Sequence, residues 1–165
     1  MDKYEQVEEL IANKHGQTTK GRTRKAIGDF MLNSSHAVNV KSNNVDKQNY
    51  SPNMISIKRM HEWVYKENKQ LSFVFVDYEV KNSEINVIND TAPIPIEHIS
   101  WECLSIEAQG YGAIQKVGEL VVNPKQTKRQ FYEGFLTEYQ KFRNKEESKH
   151  AKFSSTFLKD LDQIK

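Results

Sequence analysis

The sequence predicts an α/β domain: a mixed central sheet of about four or five strands flanked by helices. Three patterns lead there. Leu71 to Val80 (LSFVFVDYEV) is the strongest strand in the chain, and its near-continuous apolar start suits burial on both faces of a mixed sheet. Gly28 to Asn44 reads as two short strands joined by the polar turn Asn33-Ser34-Ser35-His36. Apolar residues recur at helical spacing near both termini, through Val7, Leu10 and Ile11 and through Phe131, Phe135, Tyr139 and Phe142. At 165 residues the chain fits a single domain with one core, residues 1–165.

Taken in order, Asp2 can cap a helix that runs to Lys14 and ends at Gly16. Gln17 to Lys25 is polar and basic, and the hairpin follows. Asn43 to Asn53 reads as a loop. Ser51 then offers an N-cap and Pro52 a first helical position, for a helix to about Asn68 with Ile57, Met60, Trp63 and Val64 inward. After the strong strand, Glu84 to Ile88 is a further short strand. Pro93-Ile94-Pro95-Ile96 argues against regular pairing, and His98 marks a strand start. Gln109-Gly110-Tyr111-Gly112 is a turn or a weak phosphate cradle. Thr127 and Gln130 form a capping box for the aromatic-striped helix. Asn144 to Lys152 reads as a charged break before a last short helix through Phe157, Leu161 and Ile164.

Charged residues make up 28% and hydrophobic residues 37%, a polar but not disordered composition. A net charge of +2 does not diagnose nucleic-acid binding, but Lys20, Arg22, Arg24 and Lys25 place four cations within six residues. Such a run is either a solvated loop or a phosphate contact. Lys125, Lys128 and Arg129 form a second basic cluster. The single cysteine, Cys103, lies in an apolar run, which excludes an internal disulfide and a cysteine-based zinc site and predicts a buried thiol. No signal region or long apolar window is present, so a cytoplasmic location and no membrane contact are expected.

The residues that carry chemistry lie on the hairpin. Alternation puts Asn39 and Lys41 on one face and Val38 and Val40 on the other, and Asp29 stands ten positions before Asn39 on the neighbouring strand. Asp29 offers a hard oxygen ligand, the Asn39 amide carbonyl a second and the Val40 backbone carbonyl a third, a set suited to a divalent cation. Lys41 would stabilise negative charge where a phosphate meets its attacking water. The bland alternative is an exposed hairpin with ordinary charges. Asp77 and Glu79 share a face of the strong strand and read as edge or surface charges.

This layout resembles the active-site motif of the PD-(D/E)XK nucleases, and in particular the small type II restriction endonucleases. Asp29 matches the first acid and Lys41 the lysine, while Asn39 stands where Asp or Glu is usual and Gly28 replaces a proline that is often absent in the family. Val38 to Ser56 and Ile99 to Gln115 also look like segments of such enzymes, and the resemblance spans roughly residues 21–115. It implies a restriction-endonuclease-like fold and Mg²⁺-dependent, sequence-specific hydrolysis of double-stranded DNA, with no organic cofactor. It also implies that an acid from the first helix, Glu9, can approach the metal. Phosphates would be held by Lys20, Arg22, Arg24 and Lys25. Bases would be read from the loops that carry Ser42, Asn43, Asn44 and Tyr50, and Gln109, Tyr111 and Gln115. Cutting both strands calls for two sites and hence a homodimer. Two other readings remain open: a nuclease-fold protein that binds DNA or a partner without cutting, and a nuclease for structured or damaged DNA.

Overall fold

The computed structural model describes residues 1–23, 25–47, 51–107 and 112–164. Helix α1 (Lys3–Lys14) starts at a reciprocal cap. The Asp2 carboxylate accepts the Glu5 N–H at 2.8 Å, and the Glu5 carboxylate accepts the Asp2 N–H at 3.1 Å. The helix stops at His15, and Gly16 follows with φ of 72°, a left-handed turn that glycine takes without strain. Strands β1 (Phe30–Asn33) and β2 (His36–Asn44) form the expected hairpin, with Phe30 opposite Val38. After β3 (Asn53–Ser56), helix α2 (Ile57–Met60) runs on as a π-helical segment to Lys66. The chain then enters β4 (Gln70–Lys81), which lies parallel to β2 from His36–Gln70 to Asn44–Tyr78. A helical crossover between parallel neighbours is what such a pair requires.

Strands β5 (Glu84–Asp90) and β6 (Ile94–Pro95) pair antiparallel with the other side of β4, giving a mixed five-stranded sheet in which β4 is central. Strands β7 (Leu104–Glu107) and β8 (Ala113–Lys116) join β3 in a second, antiparallel sheet of three. Helix α3 (Lys128–Gln163) closes the chain. Thr127 and Gln130 cap it reciprocally, as their spacing predicts.

Two apolar layers cover the large sheet. On one face Val7, Ile11 and Ala12 of α1 meet Phe30, Val38, Val40, Val74 and Tyr78. On the other, Ala37, Leu71 and Phe73 meet α2, the small sheet and the first turns of α3 through Met60, Ile114, Phe131 and Phe135. Each large side chain fully buried this way stabilises the fold by roughly 1.5–3 kcal/mol. The indole of Trp101 lies on α3 where a Cβ at Gly134 would come within 2.4 Å of the ring, so glycine is needed there. Cys103 is buried, as expected.

The second helix begins later than its Ser-Pro signal. Pro52 instead accepts the Lys116 N–H at 3.0 Å, Asn53 to Ser56 pair with β8, and Ser56 is the N-cap. Proline is tolerated at the first residue of a strand because its missing donor need not face the ladder. The charged break at Asn144 to Lys152 does not exist, because α3 is continuous. That segment holds good helix formers and no Gly or Pro, and the Arg143–Glu147 pair bridges one turn across it. The proline-rich stretch is not wholly unpaired, since Pro95 and Ile94 bridge to Ser72 and Phe73. His98 ends a 3₁₀ turn, not the start of a strand. Leu10, expected in the α1 stripe, is 47% exposed, and Ala12 takes its place in the core.

Candidate active site

The site arises from a step in the sheet. Because β1 begins at Phe30 opposite Val38, the edge of β2 from Val40 onward has no strand beside it among the described residues. Asp29 fills the step. Its N–H donates to the Val38 carbonyl at 2.9 Å, and its carboxylate accepts the Val40 N–H at 2.6 Å. The N–H and C=O of a strand residue leave on the same side, so the Val40 carbonyl faces this step too.

Gly28 is buried against β2, where a Cβ would lie 2.9 Å from the Val38 oxygen. Arg22 reaches back and donates from both Nε and Nη2 to the Gly28 carbonyl, each at 3.2 Å. Arg59 likewise donates from Nη2 to the carbonyls of Lys25 and Ala26, each at 2.6 Å, tying the basic segment to α2.

A cleft of about 560 Å³ opens at this step, and Glu8, Asp29, Asn39 and Lys41 line it together with the cations Lys20, Arg22 and Arg59. The charges feel one another. Burial, then the charge of Asp29, pushes the Glu8 carboxyl up to about 7 against the pull of Lys41. Burial also raises Asp29, outweighing the Val40 N–H, Lys41 and Arg22. Lys41 is lowered because burial outweighs the attraction of Asp29 and Glu8. Acids held partly out of water beside one another gain from a cation placed between them.

Asp29, Asn39, Lys41, Lys20 and Arg22 are thus brought together as the sequence suggests. Glu9 is not among them. Its carboxylate accepts the Thr18 hydroxyl and the Thr19 N–H, each at 2.7 Å, and the Thr19 hydroxyl holds it below the usual range. Glu8 stands in its place. The two acids are 100° apart on the helix, and half-buried Glu8 stands between the buried residues Val7, Ile11 and Ala12. Counting Ala12 instead of Leu10 as apolar would have put Glu8 inside that buried face and left Glu9 outside it.

Ser42 is no DNA reader: it is 7% exposed, on the Val38 and Val40 side of β2. Gln115 donates its amide to the Ser51 carbonyl at 3.0 Å and so holds β8 to the start of β3. The Asn44 side chain accepts the Asp46 N–H at 3.0 Å and shapes the turn after β2. Lys25 is exposed and outside the lining of the cleft. Arg24, Tyr50, Gln109 and Tyr111 lie outside the described residues.

Asn43 donates to the Asp77 carboxylate at 2.9 Å in a second cleft, of about 280 Å³, on the far side of Lys41. Asp77 is therefore not an edge charge, since β4 is paired on both sides. Glu79, also on β4, accepts the Asn86 amide at 2.8 Å and pairs with Lys81 at 2.8 Å.

The donor set at the step is two carboxylates, one amide oxygen and one backbone carbonyl, all hard oxygens of the kind Mg²⁺ takes. No cluster of three His, Cys, Asp or Glu side chains at metal-holding spacing occurs among the described residues, so the amide and the carbonyl would have to complete the set. Compared with models of protein families and with curated proteins, the chain matches none.

Proposed function

We propose that this protein is a Mg²⁺-dependent endonuclease of the restriction type that hydrolyses phosphodiester bonds of double-stranded DNA. The observation that carries the reading is the convergence of Glu8, Asp29, Asn39 and Lys41 on one cleft with Lys20, Arg22 and Arg59 around it. Bound there, Mg²⁺ would supply an activated water and a Lewis acid for the scissile phosphate. Glu8, Asp29, the Asn39 amide and the Val40 carbonyl are the groups that would hold it. Lys41, kept close to both acids, presents positive charge where the pentacovalent phosphate gathers negative charge. Lys20 and Arg22 meet flanking phosphates, and Arg22 also fixes the Gly28-Asp29 backbone through its paired hydrogen bonds. Two such sites are needed to cut both strands, which calls for a homodimer.

The test is digestion of plasmid and phage DNA free of methylation, with and without Mg²⁺. Discrete fragments that require both Mg²⁺ and Lys41 support sequence-specific cleavage. A continuous smear would point to a nuclease without sequence preference. Duplex binding with no cut under any divalent cation would favour a DNA-binding protein that keeps the arrangement without the reaction.

A further inference from the structure

From Arg143 to Ile164 every residue of α3 except Glu146 is exposed, although the segment is fully helical up to Gln163. A helix of that length with no packed face is marginal in water unless something covers it. Its apolar residues are not scattered. Phe153, Phe157, Leu161 and Ile164 form one stripe, 49% to 73% exposed. The same stripe continues upstream through Tyr132, Leu136 and Tyr139. These three, with Ile57 and Lys58 of α2 and His61 of the π-helical segment after it, line a shallow apolar groove of about 450 Å³. Between the two apolar ends the stripe is polar, at Arg143, Glu146 and His150.

We propose that α3 is the dimerisation element, and that two copies pair antiparallel along it so that the C-terminal stripe of each fills the groove of the other. Spacings of four and three alternate from Tyr132 to Ile164, except for two successive steps of four from Phe153 to Leu161, and the stripe is its own complement when reversed to within one residue at Leu161. Tyr132 meets Ile164, Leu136 meets Leu161 and Tyr139 meets Phe157. Arg143 lies over Phe153, a cation on an aromatic face. At the centre Glu146 of each copy meets His150 of the other. Charge favours the same orientation, because Asp160 and Asp162 are carried to the groove edge formed by Lys58 and His61. A parallel pairing would instead put Arg143 on Arg143 and Glu146 on Glu146.

The size is sufficient. The overlap is about 50 Å long and one helix face about 10 Å wide on each copy, from the helix rise and diameter. The total of about 1,000 Å² is where a specific interface begins. Such a contact is isologous and closes at two copies. It rests on these surfaces alone and stands without the nuclease reading.

The experiment is sedimentation of the full chain without DNA, with two kinds of variant. The wild type is expected to be a dimer at micromolar concentration. The double variant Phe157→Asp/Leu161→Asp is expected to be a monomer, with the circular-dichroism spectrum of a folded chain. Leu136→Cys/Leu161→Cys is expected to give a covalent dimer on mild oxidation. The two positions lie about 37 Å apart within one helix, far beyond disulfide reach in the same chain. Neither single cysteine variant should cross-link. A wild type that stays monomeric, a double aspartate variant that stays dimeric, or cross-linking of Leu161→Cys alone would each overturn the proposal. Because mass is read without DNA, these outcomes are separate from the presence or absence of cleavage.

Discussion

Glu8 and Lys41 bear on the cleft in opposite senses. An acid whose folded pKa stands above its unfolded value binds its proton more tightly when folded. Its contribution to stability is complete below about pH 4.5 and is lost as pH rises through about 7. Glu8→Gln should therefore stabilise the metal-free protein at pH 8, by roughly 1–2 kcal/mol after allowance for its partial exposure, and change little at pH 4. Thermal melts at the two pH values check this, and the same variant should lose Mg²⁺-dependent cleavage. Lys41→Ala should abolish cleavage while leaving duplex affinity within a few-fold, because its charge is aimed at one that develops during reaction. A filter-binding titration beside a cleavage assay separates the two. Asn39 and Lys41 were legible in the sequence because strand alternation fixes which side chains share a face, whereas Asp29, expected on the neighbouring strand, stands one residue before β1 begins. Glu8 was not legible, because one misjudged apolar residue, Leu10, rotates the inferred face of a helix by most of a right angle.

The elements that hold the site were legible where capping chemistry was unambiguous and not where two signals competed. Thr127 with Gln130 marks the start of α3 in sequence and structure alike. Ser51-Pro52 carries an equally good helix signal, yet β8 lies alongside and Asn53 to Ser56 pair with it, so a tertiary ladder overrides a local preference. The break expected in α3 failed for another reason: charge density alone does not end a helix when the charges pair along it. Gly28 is a tight joint against the backbone of β2, and its role appears only once β2 is in place. Gly28→Ala should push β1 off β2 and destabilise the protein by about 1–3 kcal/mol, the usual cost of forcing a methyl into a filled space. Because Asp29 moves with it, the loss in cleavage rate should exceed what the lost stability explains. Chemical denaturation and initial rates at a temperature where the variant is fully folded measure both effects.

Over the whole molecule, the basic segment separates into anchors and fasteners. Lys20 has no side-chain bond among those of the described residues, whereas Arg22 is committed to the Gly28 carbonyl. Lys20→Ala should lower the slope of log affinity against log salt by about one and leave the saturated cleavage rate unchanged. Arg22→Ala should lower the slope by a similar amount and slow the saturated rate as well, since the backbone carrying Asp29 loses its tie. Affinity at several salt concentrations and single-turnover rates distinguish the two roles. The antiparallel pairing of α3 was out of sight in the sequence for as long as the helix was read as two pieces. An unbroken stripe is visible only on an unbroken helix.

The late start of β1 has a consequence for solubility. A strand edge with bare amides invites another chain to pair with it, and proteins guard such edges with charge. At β2 the guard is Asp29, whose carboxylate occupies the Val40 N–H. The residue proposed to hold metal therefore also keeps the sheet closed to strangers. Asp29→Ala should raise light scattering on heating well above that of Asp29→Asn, which keeps an oxygen acceptor for the same amide while lacking the charge to bind Mg²⁺. Inactivity should be common to both variants and aggregation to the alanine alone.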